Sequence, residues 1–575
     1  MIDGKAAILL SNSPLQPYPR NSQILMNPST RSLLQNLFCA SGIALFTAST
    51  LHADVKMPAI FGDHMVLQGE MKIPVWGMAE PDEAVTVTLG ESTAKTKADE
   101  KGKWHVALPS SKFTDKAQVL TVAGRNTLKF EDVLVGDVWV CSGQSNMEFT
   151  MKRAHNAATE IPKADDPLIR LFFVTKKTSL VPVDEVTGKW VLCTPETIPS
   201  FSAVGYFFAK ELRPILKRPM GLIGTYWGGT PAQSWTSLPG LKKEPVLSGY
   251  IEAYDKVSAD SEKLKEGYEE RLAAYKEANQ KWKDENGAAF DAEMAQWAED
   301  RKKAIEANQP QPPKPTPAVP QPTAPPSPYG TQNTPTALFN GMVAPLIPYA
   351  IKGVIWYQGE ANAAKSEEYT TLFPTMIKDW REKWAQGDFP FLFVQLACYK
   401  PGGPSWPLLR ESQAKTLSVP NTGMASAVDV GNPADIHPAD KLDVGHRLAL
   451  VARHVAYGEN IVFSGPMYES MKVEGDKVVI KFKHTGGGLA IGVPPWSPKG
   501  DVPPPADSLQ GFVIAGEDKK FVPAEAKIEG DKVIVSSAQV PKPVAVRYAW
   551  DAVPVCNLYN KEQLPAISFR TNDWK

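Results

Sequence analysis

The chain reads GDVWVCSGQSNM at residues 136–147, a short apolar run that ends in small and polar residues. Other apolar runs of this kind follow at residues 220–226, 353–356, 391–397 and 424–428. Amphipathic stretches lie between them at 203–216 and 369–384, and a third follows the last run at 441–456. Solid apolar strands that alternate with helices are typical of a parallel sheet covered on both faces. These residues therefore predict an α/β core with three layers, α/β/α.

The composition indicates several globular units of near-neutral charge. The chain has 575 residues, of which 43% are hydrophobic and 22% are charged. Its 62 Lys and Arg residues against 63 Asp and Glu residues give a formal net charge of −1. We therefore expect no long-range attraction to nucleic acid or to an anionic membrane. At roughly 150 residues per domain, this length predicts three or four units.

Two segments of alternating polarity flank the core at residues 136–458. Residues 54–135 and 459–575 contain short runs of this type, and each predicts a β-sandwich-like domain. The core is interrupted at about 247–330 by a charged segment with apolar residues at helical spacing, followed by a proline-rich stretch. This insertion predicts a helical hairpin, interrupted near Gly287, and an extended linker.

The N-terminal region is typical of an export signal that begins at Met26. Arg31 supplies a positive charge, residues 33–47 are mostly apolar, and Leu51-His52-Ala53 is a possible cleavage site. Residues 1–25 would then be an over-extended start, and the mature protein is expected to be secreted or periplasmic. A transmembrane anchor is the alternative, but polar residues interrupt a run that is barely long enough to span a bilayer.

The cysteines give no sign of a metal site. Four would remain after cleavage, and each lies in an apolar stretch: Cys141, Cys193, Cys398 and Cys556. None shows the CxxC spacing of a zinc site. We expect them to be buried thiols, and we expect no metal and no cofactor.

Reactive residue types collect where the predicted strands end. In chain order they are Ser145, the pair Gly228 and Gly229, Gln358, and the pair Asp435 and His437. In an open parallel sheet, the binding crevice lies at the carboxyl ends of the strands. We therefore expect these segments to meet at one rim.

Three of these residues can supply nucleophilic catalysis. A serine hydroxyl is a poor nucleophile until a base takes its proton, and His437 can be that base for Ser145. Asp435 stands two residues before His437, and in an extended segment residues i and i+2 project to the same side. Asp435 can therefore orient the imidazole. Each residue alone has a structural reading, such as a helix cap or a turn, but the combination is more specific.

The remaining residues can stabilise a tetrahedral oxyanion. Such a site needs hydrogen-bond donors that are in place before the reaction. The candidates are the backbone N–H of Ser145, a backbone N–H at Gly228 or Gly229, and the side-chain amide of Gln358. Glycine suits a place where the backbone must approach the substrate closely.

Four motifs carry a family resemblance: Gly143-Gln144-Ser145-Asn146-Met147, Gly228-Gly229-Thr230, Trp356-Tyr357-Gln358-Gly359-Glu360-Ala361-Asn362 and Asp435-Ile436-His437-Pro438. They resemble the sialate O-acetylesterase family of SGNH hydrolases. Further segments, among them Arg547-Tyr548-Ala549-Trp550, are similar to it as well. The resemblance covers nearly the whole mature chain.

The resemblance implies a flavodoxin-like core and a metal-independent hydrolysis through an acetyl-enzyme. It implies Ser145 as nucleophile, His437 as base and Asp435 as the partner of that base. SGNH enzymes place the acid three residues before the histidine, and that position here is Ala434. Asp429 is therefore the reserve acid.

Two further residues, Glu360 and Arg410, lie in segments similar to the family. A carboxylate there could act as an acid, but a buried salt bridge that shapes the loop is favoured. Ala361 stands where a serine is common, which leaves the amide of Gln358 intact.

The substrate implied by the resemblance is an acetylated carbohydrate. Sialic acid O-acetyl esters are what the family name suggests, and acetylated xylan or xyloglucan is the alternative, since near-neutral charge fits uncharged glycans. A carbohydrate-binding protein with a degenerate core is a second class of function, and intact Ser145, Gln358 and His437 argue against it. A protease or thioesterase is disfavoured. The oligomeric state stays open.

Overall fold

Residues 54–498 and 506–574 are described by the computed structural model of the protein. The export signal predicted from Met26 to Ala53, and residues 1–25 before it, lie outside the described residues. Within the two described ranges, no helix is both long and apolar enough to cross a membrane.

The N-terminal region consists of short strands whose side chains alternate between core and solvent. They are β1 (Val66–Gln68), β2 (Ile73–Met78), β3 (Ala84–Leu89), β4 (Ser92–Lys97), β5 (Lys103–Leu108) and β6 (Thr114–Ala123). β3 pairs antiparallel with β4 and β6, and β2 pairs antiparallel with β5. In β5, Trp104, Val106 and Leu108 are buried while the residues between them are exposed, as the period of two for a half-buried strand requires.

A mostly parallel sheet forms the centre of the molecule. Its strands are β7 (Thr127–Gly143), β8 (Asp166–Phe173), β9 (Trp190–Cys193), β10 (Met220–Tyr226), β11 (Gly353–Tyr357), β12 (Phe391–Gln395) and β13 (Thr422–Ser426). They lie in the order β13-β12-β11-β7-β10-β8-β9. All neighbours are parallel except β8 and β9. The predicted α/β core is therefore confirmed at the level of a central parallel sheet.

The structure adds strand β8, which the apolar pattern did not predict. Arg170 interrupts its apolar run, yet this side chain is buried. Its guanidinium donates to the Asp132 carboxylate at 2.6 Å, and a buried charge is tolerated when it is paired in this way. β7 is also longer than predicted. The boundary expected at residues 135–136 falls inside it, because its first half pairs with β6 and its second half with β10 and β11.

The described residues form ten α-helices, and those outside the insertion include helices on both faces of the sheet. The ten are α1 (Ser145–Glu148), α2 (Ala157–Glu160), α3 (Ala203–Leu216), α4 (Leu238–Leu241), α5 (Ser248–Lys265), α6 (Tyr268–Trp282), α7 (Ala288–Glu306), α8 (Ser366–Trp384), α9 (Ser405–Lys415) and α10 (Leu442–Val455).

Trp139 of β7 packs against Phe208 of α3 at a ring-centroid distance of 5.0 Å. The strand register aligns Gly353 with Trp139, which puts Trp356 on the opposite face, where it packs against Trp380 of α8. The three predicted layers are present.

The insertion is helical, but it does not form the predicted helical hairpin: α6 and α7 make one continuous helical path, and the proline-rich stretch runs back along it. Gly287 adopts a helical φ of −59°, and the chain continues through a π-helical turn (Lys283–Gly287) from α6 into α7. The helical path is instead broken after α5, at Gly267, whose φ of +61° is left-handed and suits glycine. The proline-rich stretch has no helix or strand, and its Pro312 and Val319 carbonyls accept indole N–H bonds from Trp297 and Trp282.

The C-terminal region is a set of antiparallel strands with a hydrophobic cluster of its own. They are β14 (Met467–Glu474), β15 (Lys477–Lys483), β16 (Leu489–Ile491), β17 (Phe512–Ala515), β18 (Val522–Pro523), β19 (Glu525–Glu529), β20 (Lys532–Ser536), β21 (Ala545–Tyr548), β22 (Leu558–Asn560) and β23 (Phe569–Arg570). Two four-stranded sheets run in the orders β14-β15-β20-β19 and β18-β17-β21-β23. The four predicted thiols, from Cys141 to Cys556, are all buried and unpaired.

Candidate active site

Ser145 and His437 are in direct contact, although 292 positions separate them in the chain. Ser145 opens helix α1 directly after β7, and His437 lies in the loop between β13 and α10. The Ser145 Oγ and the His437 Nε2 are 2.8 Å apart. This is hydrogen-bonding distance for proton transfer from a hydroxyl to an imidazole. The expectation that the two segments meet at the carboxyl ends of the strands is correct.

Asp435 lies on the other side of the imidazole ring. Its Oδ1 is 3.5 Å from His437 Nδ1 and accepts the backbone N–H of His437 at 2.9 Å. Partial burial opposes the charge of this carboxylate, but its hydrogen bonds with the side chain and backbone of His437 outweigh that cost and lower the pKa of Asp435. The side chain is about half exposed, at 55%. The contact with Nδ1 is longer than the roughly 2.7–2.9 Å of a tight charge-assisted bond.

The reserve acid, Asp429, is engaged elsewhere. Both of its carboxylate oxygens accept from the Arg447 guanidinium, at 2.6 and 2.8 Å. Tyr559 donates a third hydrogen bond to it at 2.9 Å. This buried ion pair ties the loop after β13 to helix α10 and to the C-terminal region. Asp435, and not Asp429, therefore faces the candidate base.

The Gly228-Gly229 loop lies against the candidate nucleophile. A Cβ added at Gly228 would be 3.3 Å from the Ser145 Cβ, so a larger residue there would crowd the serine. The Gly228 N–H donates to Glu148 Oε2 at 2.6 Å. Gly229 has a left-handed φ of +74°, and no acceptor for its N–H is present among the described residues. The Gly228 N–H is thus already hydrogen-bonded, whereas the Gly229 N–H is available to an oxyanion.

The Gln358 side chain does not have the role predicted for it. It is completely buried, and its amide nitrogen donates to the Thr230 carbonyl at 3.2 Å and to Asn362 Oδ1 at 2.7 Å. Its oxygen accepts from the Tyr369 hydroxyl at 3.0 Å. Both N–H bonds are therefore already engaged, so the expectation of an oxyanion donor has to be revised. Gln358 instead joins the loop after β11 to the loop after β10.

Sequence reasoning missed a polar network directly behind Ser145. The Asn146 amide donates to Glu360 Oε1 at 2.5 Å and to the Ile436 carbonyl at 2.9 Å. Its oxygen accepts from Lys441 Nζ at 2.6 Å. Asn146 thus connects the serine turn to the residue that precedes His437. The adjacency of Asn146 to Ser145 was the one available signal, and Lys441 gave none because it reads as the first residue of a helix.

Burial governs the charges in this network. It lowers the pKa of Lys441 to about 7 and outweighs the opposing effect of nearby carboxylates, the first of them Glu360. Burial also raises the pKa of Glu360 against the hydrogen bond from Asn146 and the charges of His437 and Lys441. The Glu360 Oε2 has no hydrogen-bond partner within the described part of the chain.

The salt bridge expected for Glu360 or Arg410 is absent from the described residues. The Glu360 carboxylate accepts from a neutral amide. The fully buried Arg410 donates to the backbone carbonyls of Leu396, Ala397, Asp551 and Ala552. Four carbonyls satisfy the guanidinium without a carboxylate, so both side chains shape loops without forming an ion pair.

Comparisons with known proteins identify a family of esterases. Residues 334–453, which include Gln358, Asp435 and His437, match the family model for a carbohydrate esterase, sialic acid-specific acetylesterase. The sialate O-acetylesterase of Mus musculus is 30% identical over 563 residues, which cover 89% of this chain and 94% of that protein. The enzyme of the same name from Rattus norvegicus is 31% identical over 460 residues, covering 73% of this chain and 77% of its own.

A solved structure supports the same relationship. The crystal structure of a carbohydrate acetylesterase from Xanthomonas citri is 36% identical, with a TM-score of 0.71. The match covers 91% of this chain and the whole of that one. Identity at this level over nearly full length, together with the Ser145–His437 contact, shows that the chain belongs to the sialate O-acetylesterase family and is a carboxylic ester hydrolase.

Proposed function

We propose that this protein hydrolyses O-acetyl esters of carbohydrates by nucleophilic catalysis at Ser145. The observation that carries the proposal is the 2.8 Å contact between Ser145 Oγ and His437 Nε2. Asp435 supports it from the Nδ1 side of the ring. A nucleophile, a base and an orienting carboxylate in this order are the parts of a serine hydrolase.

Acylation begins when Ser145 Oγ attacks the acetyl carbonyl carbon while its proton passes to His437 Nε2. The C–O bond to the sugar then breaks, and the imidazolium returns that proton to the leaving sugar oxygen. Acetyl-Ser145 remains. Water attacks this ester with His437 again as base, and acetate leaves as Ser145 recovers its proton.

The developing oxyanion needs donors that are already in place. We assign the Ser145 N–H, which as the first amide of α1 has no partner within that helix, and the Gly229 N–H. The Gly228 N–H could join them only by leaving Glu148, whose carboxylate it contacts at 2.6 Å. Loss of one such donor typically costs about 3–4 kcal/mol of transition-state stabilisation.

We also propose a specific fold for the core and a compartment for the mature enzyme. A central parallel sheet with Ser145 at the end of β7 suits a flavodoxin-like SGNH hydrolase core with β-sandwich-like domains attached at either side. The residues from Met26 to Ala53 have the charge and hydropathy pattern of an export signal. We therefore propose that the mature enzyme acts in the periplasm or outside the cell, where it would meet acetylated glycans.

Two classes of acetylated sugar are candidates. The mammalian relatives are named sialate O-acetylesterases, which favours acetylated sialic acid. The bacterial relative carries only the broader name of a carbohydrate acetylesterase, which admits acetylated xylan or xyloglucan. Acetate release from O-acetylated sialic acid, measured beside release from acetylated xylan at equal ester concentration, decides between them.

The Ser145→Ala variant tests the mechanism. Removal of the hydroxyl should reduce acetate release from p-nitrophenyl acetate by at least about 10³-fold. The matched control is Ser200→Ala, because Ser200 is exposed and its hydroxyl contacts only a nearby backbone carbonyl. Both variants should unfold at the wild-type temperature. Full activity in Ser145→Ala would remove this serine from the reaction, and with it the proposal.

A further inference from the structure

A large cleft opens beside the candidate active site, and no catalytic candidate lines it. Its volume is about 1250 Å³, above the roughly 300–1,000 Å³ typical of sites for small molecules. Its walls come from the end of α7, the start of α9, the loop at residues 432–434 and the C-terminal strands. A cleft of this volume can hold more than one sugar unit, whereas a single acetylated sugar would leave most of it empty.

The C-terminal wall carries the Arg547-to-Trp550 segment, whose side chains the proposed chemistry does not use. Arg547 and Trp550 both line the cleft, together with Trp574. The Arg547 guanidinium lies 3.9 Å from the centroid of the Phe521 ring and donates to Asn572 at 3.0 Å. No carboxylate among the described residues pairs with it. Both tryptophans are partly exposed.

These side chains suit a sugar chain. Aromatic rings pack against the apolar C–H faces of pyranose rings and lose little conformational freedom on binding. A planar guanidinium offers several hydrogen-bond donors in a fixed geometry, which sugar hydroxyls can accept. The Arg570 guanidinium lies 5.2 Å from the Trp550 ring and the Lys519 ammonium 5.5 Å from the Trp574 ring. The parts of the two partly exposed rings that these cations leave open can hold sugar units beside the Arg547 donor.

The charges that line the cleft balance. Four are basic (Lys302, Lys400, Arg547 and Arg570) and four are acidic (Glu306, Glu367, Asp551 and Asp573). Glu411 also holds the Arg570 guanidinium through two contacts of 2.8 Å. A polyanion would meet as many like charges as opposite ones, whereas a neutral, hydroxyl-rich chain finds donors and acceptors of both kinds.

The cleft is connected to the catalytic loop by backbone hydrogen bonds. Its floor includes Ala434, the residue immediately before Asp435. The Lys400 N–H donates to the Pro433 carbonyl at 2.9 Å, and the Tyr399 N–H donates to the Ala552 carbonyl at 3.0 Å. The C-terminal wall is thus held in register with the loop that carries His437. The cleft therefore lies next to the loop that carries His437.

We propose that this cleft binds the neutral oligosaccharide chain that carries the acetyl ester, with Trp550 and Trp574 as stacking surfaces and Arg547 as a hydroxyl donor. The inference rests on the esterase function proposed above and adds a substrate class to it. The enzyme then prefers acetyl groups on a neutral oligomer over those on a single sugar. It also prefers them over those on a polyanionic sugar chain.

The Trp550→Ala variant tests the cleft. On acetylated xylohexaose its kcat/KM should fall about tenfold or more, mostly through KM, since remote contacts are lost. On p-nitrophenyl acetate, which is too small to reach the wall, it should stay within about twofold of wild type. Trp297→Ala is the matched control, because Trp297 lies on α7 outside the cleft lining. It should leave both values unchanged.

Further variants and substrates test the same proposal. Trp574→Ala repeats the test if Trp550→Ala unfolds, and Trp550→Phe should recover most of the loss. Acetylated xylose should be a much poorer substrate than the acetylated hexamer. Equal kcat/KM for monomer and hexamer, or unchanged hexamer kinetics in both alanine variants, would overturn the proposal. So would a preference for acetylated polysialic acid over the hexamer.

Binding separates this inference from the proposed mechanism. Unacetylated xylohexaose is titrated calorimetrically into the Ser145→Ala variant with and without Trp550→Ala. If Ser145→Ala binds the hexamer and the double variant with Trp550→Ala does not, the cleft is supported even if Ser145→Ala retains activity. If Trp550→Ala alone is active, and the double variant Ser145→Ala/Trp550→Ala binds the hexamer as tightly as Ser145→Ala does, the cleft is rejected and the proposed mechanism is unaffected.

Discussion

At the scale of single residues, two aspartates in one loop have different surroundings and so different roles. Asp435 faces the His437 ring, is half exposed and makes few other contacts. Asp429 is buried and held by Arg447 and Tyr559. A carboxylate that orients a base contributes to the reaction rate. A carboxylate in a buried, bidentate ion pair contributes to the fold, because its removal leaves the opposite charge buried without a partner.

Asparagine substitutions should separate these two roles. Asp435→Asn should lower kcat/KM on p-nitrophenyl acetate by roughly 10²–10⁴-fold with little change in melting temperature. Asp429→Asn should lower the free energy of unfolding by about 3–5 kcal/mol, because it leaves Arg447 buried without its full charge partner. Steady-state kinetics and urea unfolding measure the two effects. A larger rate loss in the folded Asp429→Asn enzyme would reverse the assignment.

Lys441 is a second residue whose effect can be predicted from its surroundings. Its ammonium is buried behind Ser145, and its recorded hydrogen-bond acceptor is the neutral Asn146 oxygen. Burial lowers its pKa to about 7 from an ordinary value of 10.5. Between these two values the unfolded chain binds more protons than the folded one. The free energy of unfolding therefore rises with pH over that window, and the cost of the buried charge is fully present below about pH 7.

Lys441→Met removes this pH dependence. The difference in unfolding free energy, wild type minus variant, should increase by up to a few kcal/mol between about pH 7 and pH 10, at about 1.4 kcal/mol per pKa unit. Urea titrations at one-unit intervals of pH measure it. A difference that stays constant across this range would show that Lys441 keeps its charge in the folded protein.

At the scale of elements, the insertion shows how two glycines of similar sequence context take opposite roles. Gly267 breaks the helical path between α5 and α6 in a left-handed conformation. Gly287 lies inside the continuous helical path from α6 to α7. A Cβ at Gly287 would meet only an ordinary contact, at 3.7 Å from Lys283 Cβ. The location of the turn thus depends on which glycine takes a positive φ.

Alanine at each position should therefore act in opposite directions. Gly267→Ala should destabilise the insertion by about 1 kcal/mol, because an L side chain is strained at that φ. Gly287→Ala should stabilise it by up to about 1 kcal/mol, because alanine is the better helix former. Hydrogen exchange of the α5 and α7 amides, with the unfolding midpoint, measures both. If Gly267→Ala stabilised the insertion and Gly287→Ala destabilised it, the break in the helical path would lie at Gly287.

At the scale of the whole molecule, one buried arginine joins the core to the C-terminal region. Arg410 on α9 donates to carbonyls that follow β12 and to those of Asp551 and Ala552, which follow β21. A buried carbonyl without a donor costs about 1–3 kcal/mol. These hydrogen bonds therefore fix the position of the C-terminal wall relative to the core.

Arg410→Met should loosen that connection. It fills a similar volume but leaves the Leu396 and Asp551 carbonyls without a donor, while the Ala397 and Ala552 carbonyls keep those from Trp406 and Tyr399. The free energy of unfolding should therefore fall by about 2–6 kcal/mol. Faster hydrogen exchange at the Tyr399 amide, which donates to Ala552, would locate the effect. Wild-type exchange there would mean that other contacts hold the two regions together.

The elements of the core could be predicted because their signals are local. The apolar runs of β10 to β13 and the amphipathic spacing of α3, α8 and α10 lie within short stretches of chain. The meeting of Ser145 with His437 also followed, since successive parallel strands present their carboxyl ends on one rim. Strand β8 did not follow, because its apolar run contains Arg170, whose neutralising partner Asp132 is distant in sequence.

The sequence by itself therefore determined the parallel sheet, its helices and the pair of reactive residues at its rim. The tertiary structure alone decided that the Gln358 amide is engaged within the loops, that Asn146 connects Glu360 to Lys441, and which glycine breaks the helical path of the insertion. The reason is physical. Hydrophobic periodicity is written into neighbouring residues, whereas the partner of a buried polar group is chosen among atoms that come together only when the chain has folded.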